Sequence, residues 1–147
     1  MGFSDPIPLV RCRLSGPEEG ETSSLRYVPL VEFSLWRHLM ESRHGRQVTI
    51  EAVSVWVSEE AARWNSGFVA EDLEPVLRFR IDLPGPFGVP VPVERFFPAE
   101  TYPMAQEALL AHFVGDLRPV RVVATPGYFV PPGAAFDQRL VEGVGAA

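Results

Sequence analysis

Residues 76–83 read VLRFRIDL and alternate without a break between two kinds of side chain. Every second residue from Leu77 to Leu83 is large and apolar, and the positions between them include Arg78, Arg80 and an aspartate. A period of two residues is typical of a β-strand with one buried and one solvated face. Such strands form antiparallel sheets, because parallel sheets are covered on both faces.

The sequence on either side of this strand predicts a mixture of strands and short helices. Residues 47–57 (QVTIEAVSVWV) are rich in β-branched side chains and form the clearest other strand. Further strands are predicted over 8–14, 25–33, 119–124 and 128–130, and helices over 34–45, 58–64, 102–114 and 134–142. Strands and helices do not follow regular βαβ spacing. We therefore expect an α+β fold over 1–147, a single domain with a mostly antiparallel twisted sheet and about three short helices packed on it.

The first predicted strand alternates as clearly as the one at 76–83. Val10, Cys12 and Leu14 are expected to face inward, and Arg11 and Arg13 outward. Cys12 is the only cysteine, so the chain has no internal disulfide and a reducing cytoplasm is its natural setting. Free cysteine is among the most buried residue types, so we predict that Cys12 is a buried apolar residue rather than a nucleophile.

A proline-rich stretch interrupts the pattern between Pro84 and Pro103, where six of the 20 residues are proline. Proline fixes φ and lacks a backbone N–H, so the stretch is expected to be extended or polyproline-like and to lie at the surface or a sheet edge. Residues 125–127 (Thr-Pro-Gly) are predicted to form a turn. The small residues at 143–147 are expected to be a frayed tail.

Composition excludes several classes of function. The net charge is −6, and all 13 basic residues are arginine, as expected of a GC-rich genome. Without lysine, the usual P-loop, kinase and pyridoxal mechanisms are absent. An acidic chain with scattered arginines is not expected to bind nucleic acid. No stretch reaches 18 uncharged apolar residues and the amino terminus lacks a signal-peptide pattern, so we also expect no membrane association.

The chain shows no catalytic or metal-binding motif. His38 and His44 are six residues apart, which does not place two ligands on one helical face, and the pair of Glu41 and His44 lacks a third ligand. No nucleophile elbow or phosphate-binding glycine loop is present. We therefore expect no catalytic residues, no metal and no cofactor.

Aromatic residues in and beside the proline-rich stretch give the most specific functional signal. Phe87, Phe96, Phe97 and Tyr102 are predicted to form a stiff contact surface for a partner, because proline lowers the entropy lost on binding. Alternatively, these rings pin the loop to the sheet. Phe96 and Phe97 are adjacent, so in an extended chain one would pack inward and the other would face a partner.

Two functions follow from these observations. The first is a non-catalytic cytoplasmic module that binds another protein or itself through the aromatic, proline-stiffened surface. The alternative is a small-ligand-binding protein or small enzyme, with a pocket between the sheet and the helices that involves Trp56 and His112. His112 is predicted near the carboxyl end of its helix, where a histidine cation is stabilised by the helix dipole.

Overall fold

The computed structural model describes residues 6–16, 24–65, 69–101 and 121–134. It contains six strands, one helix of 13 residues and one of five. The elements in chain order are β1 (Ile7–Ser15), β2 (Ser24–Pro29), α1 (Leu30–Ser42), β3 (Gln47–Ser58), α2 (Glu59–Arg63), β4 (Glu74–Leu83), β5 (Val91–Pro98) and β6 (Arg121–Val130). Short 3₁₀ turns lie at Ala70–Asp72, Pro86–Gly88 and Ala99–Thr101.

The six strands form a closed antiparallel barrel in the order β1-β2-β5-β4-β6-β3. The predicted α+β sheet with about three helices packed on it is therefore wrong. β4 pairs with β5 on one side and with β6 on the other. Val76 and Arg78, on its predicted solvated face, belong to the barrel interior, whereas Arg80 on the same face is exposed. Alternation along one strand is the same in an open sheet and in a barrel, because closure depends on which strands become neighbours.

The predicted helices over 102–114 and 134–142 and the predicted tail at 143–147 lie outside the described residues, except for Ala134. In the part of the chain that the structure describes, α1 is the only helix of more than two turns. α1 begins at Leu30, directly after Pro29, rather than after Ser34. The strand before it accordingly ends at Pro29, which cannot donate to a strand ladder.

The inside of the barrel is a cluster of large side chains: Leu9, Tyr27, Trp56, Val76, Phe96 and Phe129. Trp56 and Phe96 meet edge to face, with ring centroids 5.8 Å apart. The Trp56 indole N–H donates to the carbonyl of Val76 over 2.9 Å, so its polar atom is satisfied although the ring is fully buried. This cluster is the main core of the fold.

The predicted turn at residues 125–127 is instead the middle of the ten-residue strand β6. Gly127 is needed there for packing. A Cβ on Gly127 would lie 2.3 Å from Cζ2 of the Trp56 ring. The glycine therefore leaves space for Trp56 rather than permitting a turn.

A second apolar layer covers the outside of the barrel beneath α1. Val10, Cys12 and Leu14 of β1 are buried there with Phe33 of α1. The burial of Cys12 is confirmed. The predicted outward position of Arg11 is wrong, because its guanidinium lies 5.9 Å from the Phe129 ring centroid, inside the barrel. Both faces of β1 are thus covered, one by the barrel interior and the other by the helix.

The proline-rich stretch also differs from its prediction. Residues 91–98 form β5, which is a barrel strand and not a surface loop. β5 pairs with β4 over eight residues but with β2 only at Tyr27 and Phe96. The prolines have thus not kept the segment out of the barrel, and its ladder toward β2 is limited to one pair.

Candidate functional site

One mouth of the barrel holds a cavity of about 520 Å³ that contains a chain of charged groups. The Arg13 Nε donates to Glu51 over 2.8 Å, and the Nε of Arg11 lies 3.4 Å from the other Glu51 oxygen. Arg11 also pairs with Glu74, which accepts a hydrogen bond of 2.6 Å from the Tyr27 hydroxyl. Glu74 therefore accepts hydrogen bonds from two side chains, whereas Glu51 accepts one from Arg13 and forms only an ion pair with Arg11.

A β-bulge positions Glu51 among these charged groups. Arg11 pairs with Ala52 and Cys12 with Ile50, so Glu51 is the extra residue on β3. A bulge redirects the side chain of the inserted residue, and here the carboxylate reaches both arginines of β1.

Burial raises the pKa of Tyr27 first, and its hydrogen bond to Glu74 raises the pKa further. Tyr27 therefore stays protonated and acts as a donor to Glu74. Two arginines and two glutamates neutralise one another in the cavity, so an anionic ligand would have to displace an existing partner. Glu100 also lines the cavity and adds a third carboxylate. The pairing favours a structural role for these four groups at the barrel mouth.

The opposite end of the barrel interior repeats this arrangement. Arg78 pairs with Glu94 and places its guanidinium 5.8 Å from the Trp56 ring centroid. At both ends, an arginine thus covers an aromatic ring of the core and is neutralised by a glutamate. The apolar stem of arginine makes this position favourable, because it packs on the core while the charged head reaches the barrel end.

A different kind of surface lies on the outside of the barrel, between α1 and β5. We call this concave surface the α1–β5 groove; its volume is about 550 Å³. Val31 and Leu35 of α1 line it, and they are 91% and 66% exposed. Pro92 and Val93 of β5 form the opposite wall. At least two large apolar side chains of α1 are therefore open to solvent beside the proline-rich strand.

The exposure follows from the pattern of α1, which carries two apolar stripes. Phe33, Trp36 and Met40 pack on the outer layer of the barrel. Val31 and Leu35, four residues apart, lie on a different face and contribute to the groove. One stripe is sufficient to attach a helix to a core, so the second stripe is not needed for that contact.

A smaller cavity of about 170 Å³ lies beside the groove, at the junction of β2 and β5. We call it the seam pocket, because β2 and β5 pair there at a single position. Val28, Trp36, Phe96 and Phe97 contribute apolar walls. The charged groups of the lining are Arg26, Glu32 and Arg95, of which the last two lie 3.9 Å apart.

The aromatic residues predicted to bind a partner occupy different environments. Phe87 is fully exposed at the turn between β4 and β5, whereas Phe96 is 4% exposed and belongs to the core. Phe97 packs edge to face on Phe79, with centroids 5.7 Å apart, and also borders the seam pocket. Tyr102 lies outside the described residues. The structure therefore does not bring the described members of the set into one patch.

The alternative pocket, with Trp56 and His112, is not tested by the described residues. Trp56 is fully buried in the barrel interior, and His112 lies outside the described ranges. Sequence reasoning missed Val31 and Leu35, because two apolar stripes on α1 indicate that one is exposed but not which one. It also missed Glu51, whose position depends on a bulge that the sequence does not reveal.

Comparisons with protein families, curated proteins and solved structures find no match to this chain. Within the described ranges, no three His, Cys, Asp or Glu side chains are grouped so that they could hold a metal ion. None of the helices described has the length and apolar character needed to cross a membrane.

Proposed function

We propose that this chain is a protein-binding module and that the α1–β5 groove is its contact surface. The observation that carries the proposal is the exposure of Val31 and Leu35 in a concave site beside the proline-rich strand. Exposed apolar side chains grouped in a groove are typical of interaction sites, whereas single exposed ones are common on any protein.

The second wall of the groove supports the same function. Pro92 has a fixed φ, so this part of β5 loses little conformational freedom when a partner covers it. Glu32 and Arg95 supply polar groups beside the apolar wall. An apolar centre with polar neighbours is the usual composition of a protein interface.

This surface differs in part from the one expected from the sequence. The proline-rich segment still contributes, through Pro92 and Val93, but Phe96 contributes to the core instead. A cytoplasmic location, inferred from the single cysteine, belongs to the same proposal. The alternative of a ligand pocket with Trp56 and His112 stays a prediction.

The proposal can be tested by photocrosslinking in cells that express the chain. A photoreactive amino acid at position 35 should give a discrete protein adduct, because Leu35 faces the groove. Val53 of β3 is the matched control, since it is 51% exposed and does not line the groove. We expect no such adduct from position 53. Equal adducts from both positions, or none from position 35, would contradict the proposal.

A further inference from the structure

The turn between β4 and β5 displays an aromatic side chain at a conformational cost. Phe87 is fully exposed and has a φ of 58°. This is the left-handed region, which L-residues with a Cβ rarely occupy. Strained residues are often found where a contact with another molecule compensates for the strain. A large apolar ring held in this way is therefore a candidate anchor for binding.

The seam pocket has the size of one aromatic ring. An apolar cavity of about 150 Å³ holds a benzene molecule, and the seam pocket measures about 170 Å³. Trp36, Phe96 and Phe97 supply aromatic walls against which a further ring can pack edge to face or offset.

Charge complementarity also favours an aromatic occupant. The guanidinium groups of Arg26 and Arg95 border the pocket, and cations are attracted to the negative face of an aromatic ring. The Glu32 carboxylate, 3.9 Å from Arg95, neutralises part of this charge, so Arg26 carries most of the attraction. Burial lowers the pKa of Arg26 first, and the nearby Arg46 lowers it further. Arg26 is therefore a half-buried cation that lies close to another cation, and a ring face beside it would offset part of this cost.

We propose that two copies of this chain associate about a two-fold axis, with Phe87 of each copy inserted in the seam pocket of the other. This inference rests on the proposed function, because the seam pocket shares four residues with the α1–β5 groove: Pro29, Glu32, Trp36 and Arg95. It adds the identity of the partner, a second copy, and the anchor residue.

The length of β5 prevents Phe87 from entering the seam pocket of its own chain. Val91 and Phe96 are five positions apart in an extended strand, so they are separated by about 17 Å. Phe87 lies beyond Val91, and it reaches its own seam pocket only if β5 unfolds. The ring and the pocket lie toward opposite ends of β5, so two such strands placed antiparallel about a two-fold axis bring each ring to the other pocket. The contact is then made twice.

The first test measures self-association of the full chain by sedimentation equilibrium. Phe87→Ala should weaken the dimer by about tenfold or more, because it removes both anchors. Val89→Ala is the matched control, since Val89 is an exposed apolar residue after the same turn. The control should weaken association by less than about twofold. Equal losses in both variants would overturn the inference.

The second test examines whether the contact is reciprocal. Arg95→Glu replaces a cation of the pocket with a carboxylate, which should weaken association by about fivefold without unfolding a partly exposed site. In a mixture of Phe87→Ala and Arg95→Glu chains, one ring can still enter one unaltered pocket. The mixed dimer should therefore be about as tight as a mixed dimer of Phe87→Ala and wild-type chains, because the altered pocket faces the chain that lacks the ring. A clearly looser mixed dimer would overturn the reciprocal arrangement.

These outcomes separate this inference from the proposed function. A chain that remains monomeric at all concentrations, yet crosslinks from position 35 to a different protein, overturns the dimer and supports the groove as a binding surface. A dimer that is unaffected by Phe87→Ala also overturns the inference. A dimer lost specifically with Phe87→Ala, but with no adduct from position 35, supports the anchor and contradicts the role of the groove.

Discussion

The barrel interior and the α1–β5 groove are both lined by large apolar side chains, but only the interior is covered. Trp56, Phe96 and Phe129 are buried on the inside, and arginines lie over two of these rings at the barrel ends. Val31 and Leu35 have similar hydrophobicity but are mostly exposed. The interior stabilises the fold, whereas burial of the groove side chains would contribute free energy only when another molecule covers them.

The same contrast appears in the polar groups of the two regions. At the barrel mouth, Arg11, Glu51 and Glu74 form a continuous chain of close contacts. Beside the groove, Glu32 and Arg95 are 3.9 Å apart and more exposed, so their interaction contributes little to stability. Polar groups that are already paired favour a fixed structure, and weakly paired ones remain free to bind a partner.

The largest expected effect on stability concerns the barrel interior. Phe96→Ala should lower the free energy of unfolding by about 3 to 5 kcal/mol, because it leaves a cavity beside Trp56. Urea denaturation measures this change. Phe87→Ala is the control, and at a protein concentration where both chains are monomeric its stability should stay within about 0.5 kcal/mol of the wild type, since Phe87 is fully exposed. Equal losses at the two positions would contradict the assignment of Phe96 to the core.

The elements that could be predicted from the sequence are those whose pattern is local. The strands at 8–14, 47–57 and 76–83 are confirmed, as is the burial of Cys12. The barrel could not be predicted, because its interior is built from the face that seemed polar. Arg11 and Arg78 lie over aromatic rings there and pair with glutamates from distant parts of the chain. No spacing within one strand contains that information.

Prediction of the candidate site depends even more on long-range contacts than prediction of the fold does. The aromatic signal in the proline-rich segment led to Phe96, which the partner strands β2 and β4 place in the core. Val31 and Leu35 could be identified only after β1, β2 and β3 had shown which stripe of α1 is covered. Two apolar stripes on one helix predict that one stripe packs on the core and the other is exposed, but they do not indicate which is which.

A second prediction uses the ionisation of a covered group. Burial raises the pKa of Cys12 from 9.0 to about 11, with a further rise from Glu51 and an opposing effect of Arg26. Between these values the thiol ionises in the unfolded chain but not in the folded one. The contribution of the protonated Cys12 thiol to the free energy of unfolding is therefore fully present below pH 9 and is lost as the pH rises to about 11. The loss is about 3 kcal/mol.

Cys12→Ala tests this expectation. The variant should show a flatter dependence of unfolding free energy on pH in the alkaline range, although the lost sulfur lowers its stability at neutral pH. Chemical denaturation at a series of pH values measures both effects. The comparison is clearest just above pH 9, because Tyr27 contributes a loss in the same direction above its ordinary pKa of about 10. Parallel pH profiles for the two proteins would show that the folded thiol ionises as readily as the unfolded one.

The smallest expected effect concerns the strain at the exposed tip. At a φ of 58°, phenylalanine and alanine both carry a Cβ that is disfavoured by about 1 to 2 kcal/mol, and glycine does not. Glycine loses more backbone entropy on folding, which costs about 0.5 to 1 kcal/mol. Phe87→Gly should therefore be more stable than Phe87→Ala by about 0.5 to 1 kcal/mol, as measured by thermal or chemical unfolding.

The matched pair at position 89 should give the opposite order. Val89 has a φ of −87°, which any residue adopts, so Val89→Gly should be less stable than Val89→Ala by about 0.5 to 1 kcal/mol. A reversal of sign between two exposed positions of one turn isolates the backbone strain from side-chain packing, because neither side chain is buried. If glycine is less stable than alanine at both positions, the tip is unstrained. Phe87 would then lack the conformational cost that distinguishes it from other exposed apolar residues, such as Val31 and Leu35.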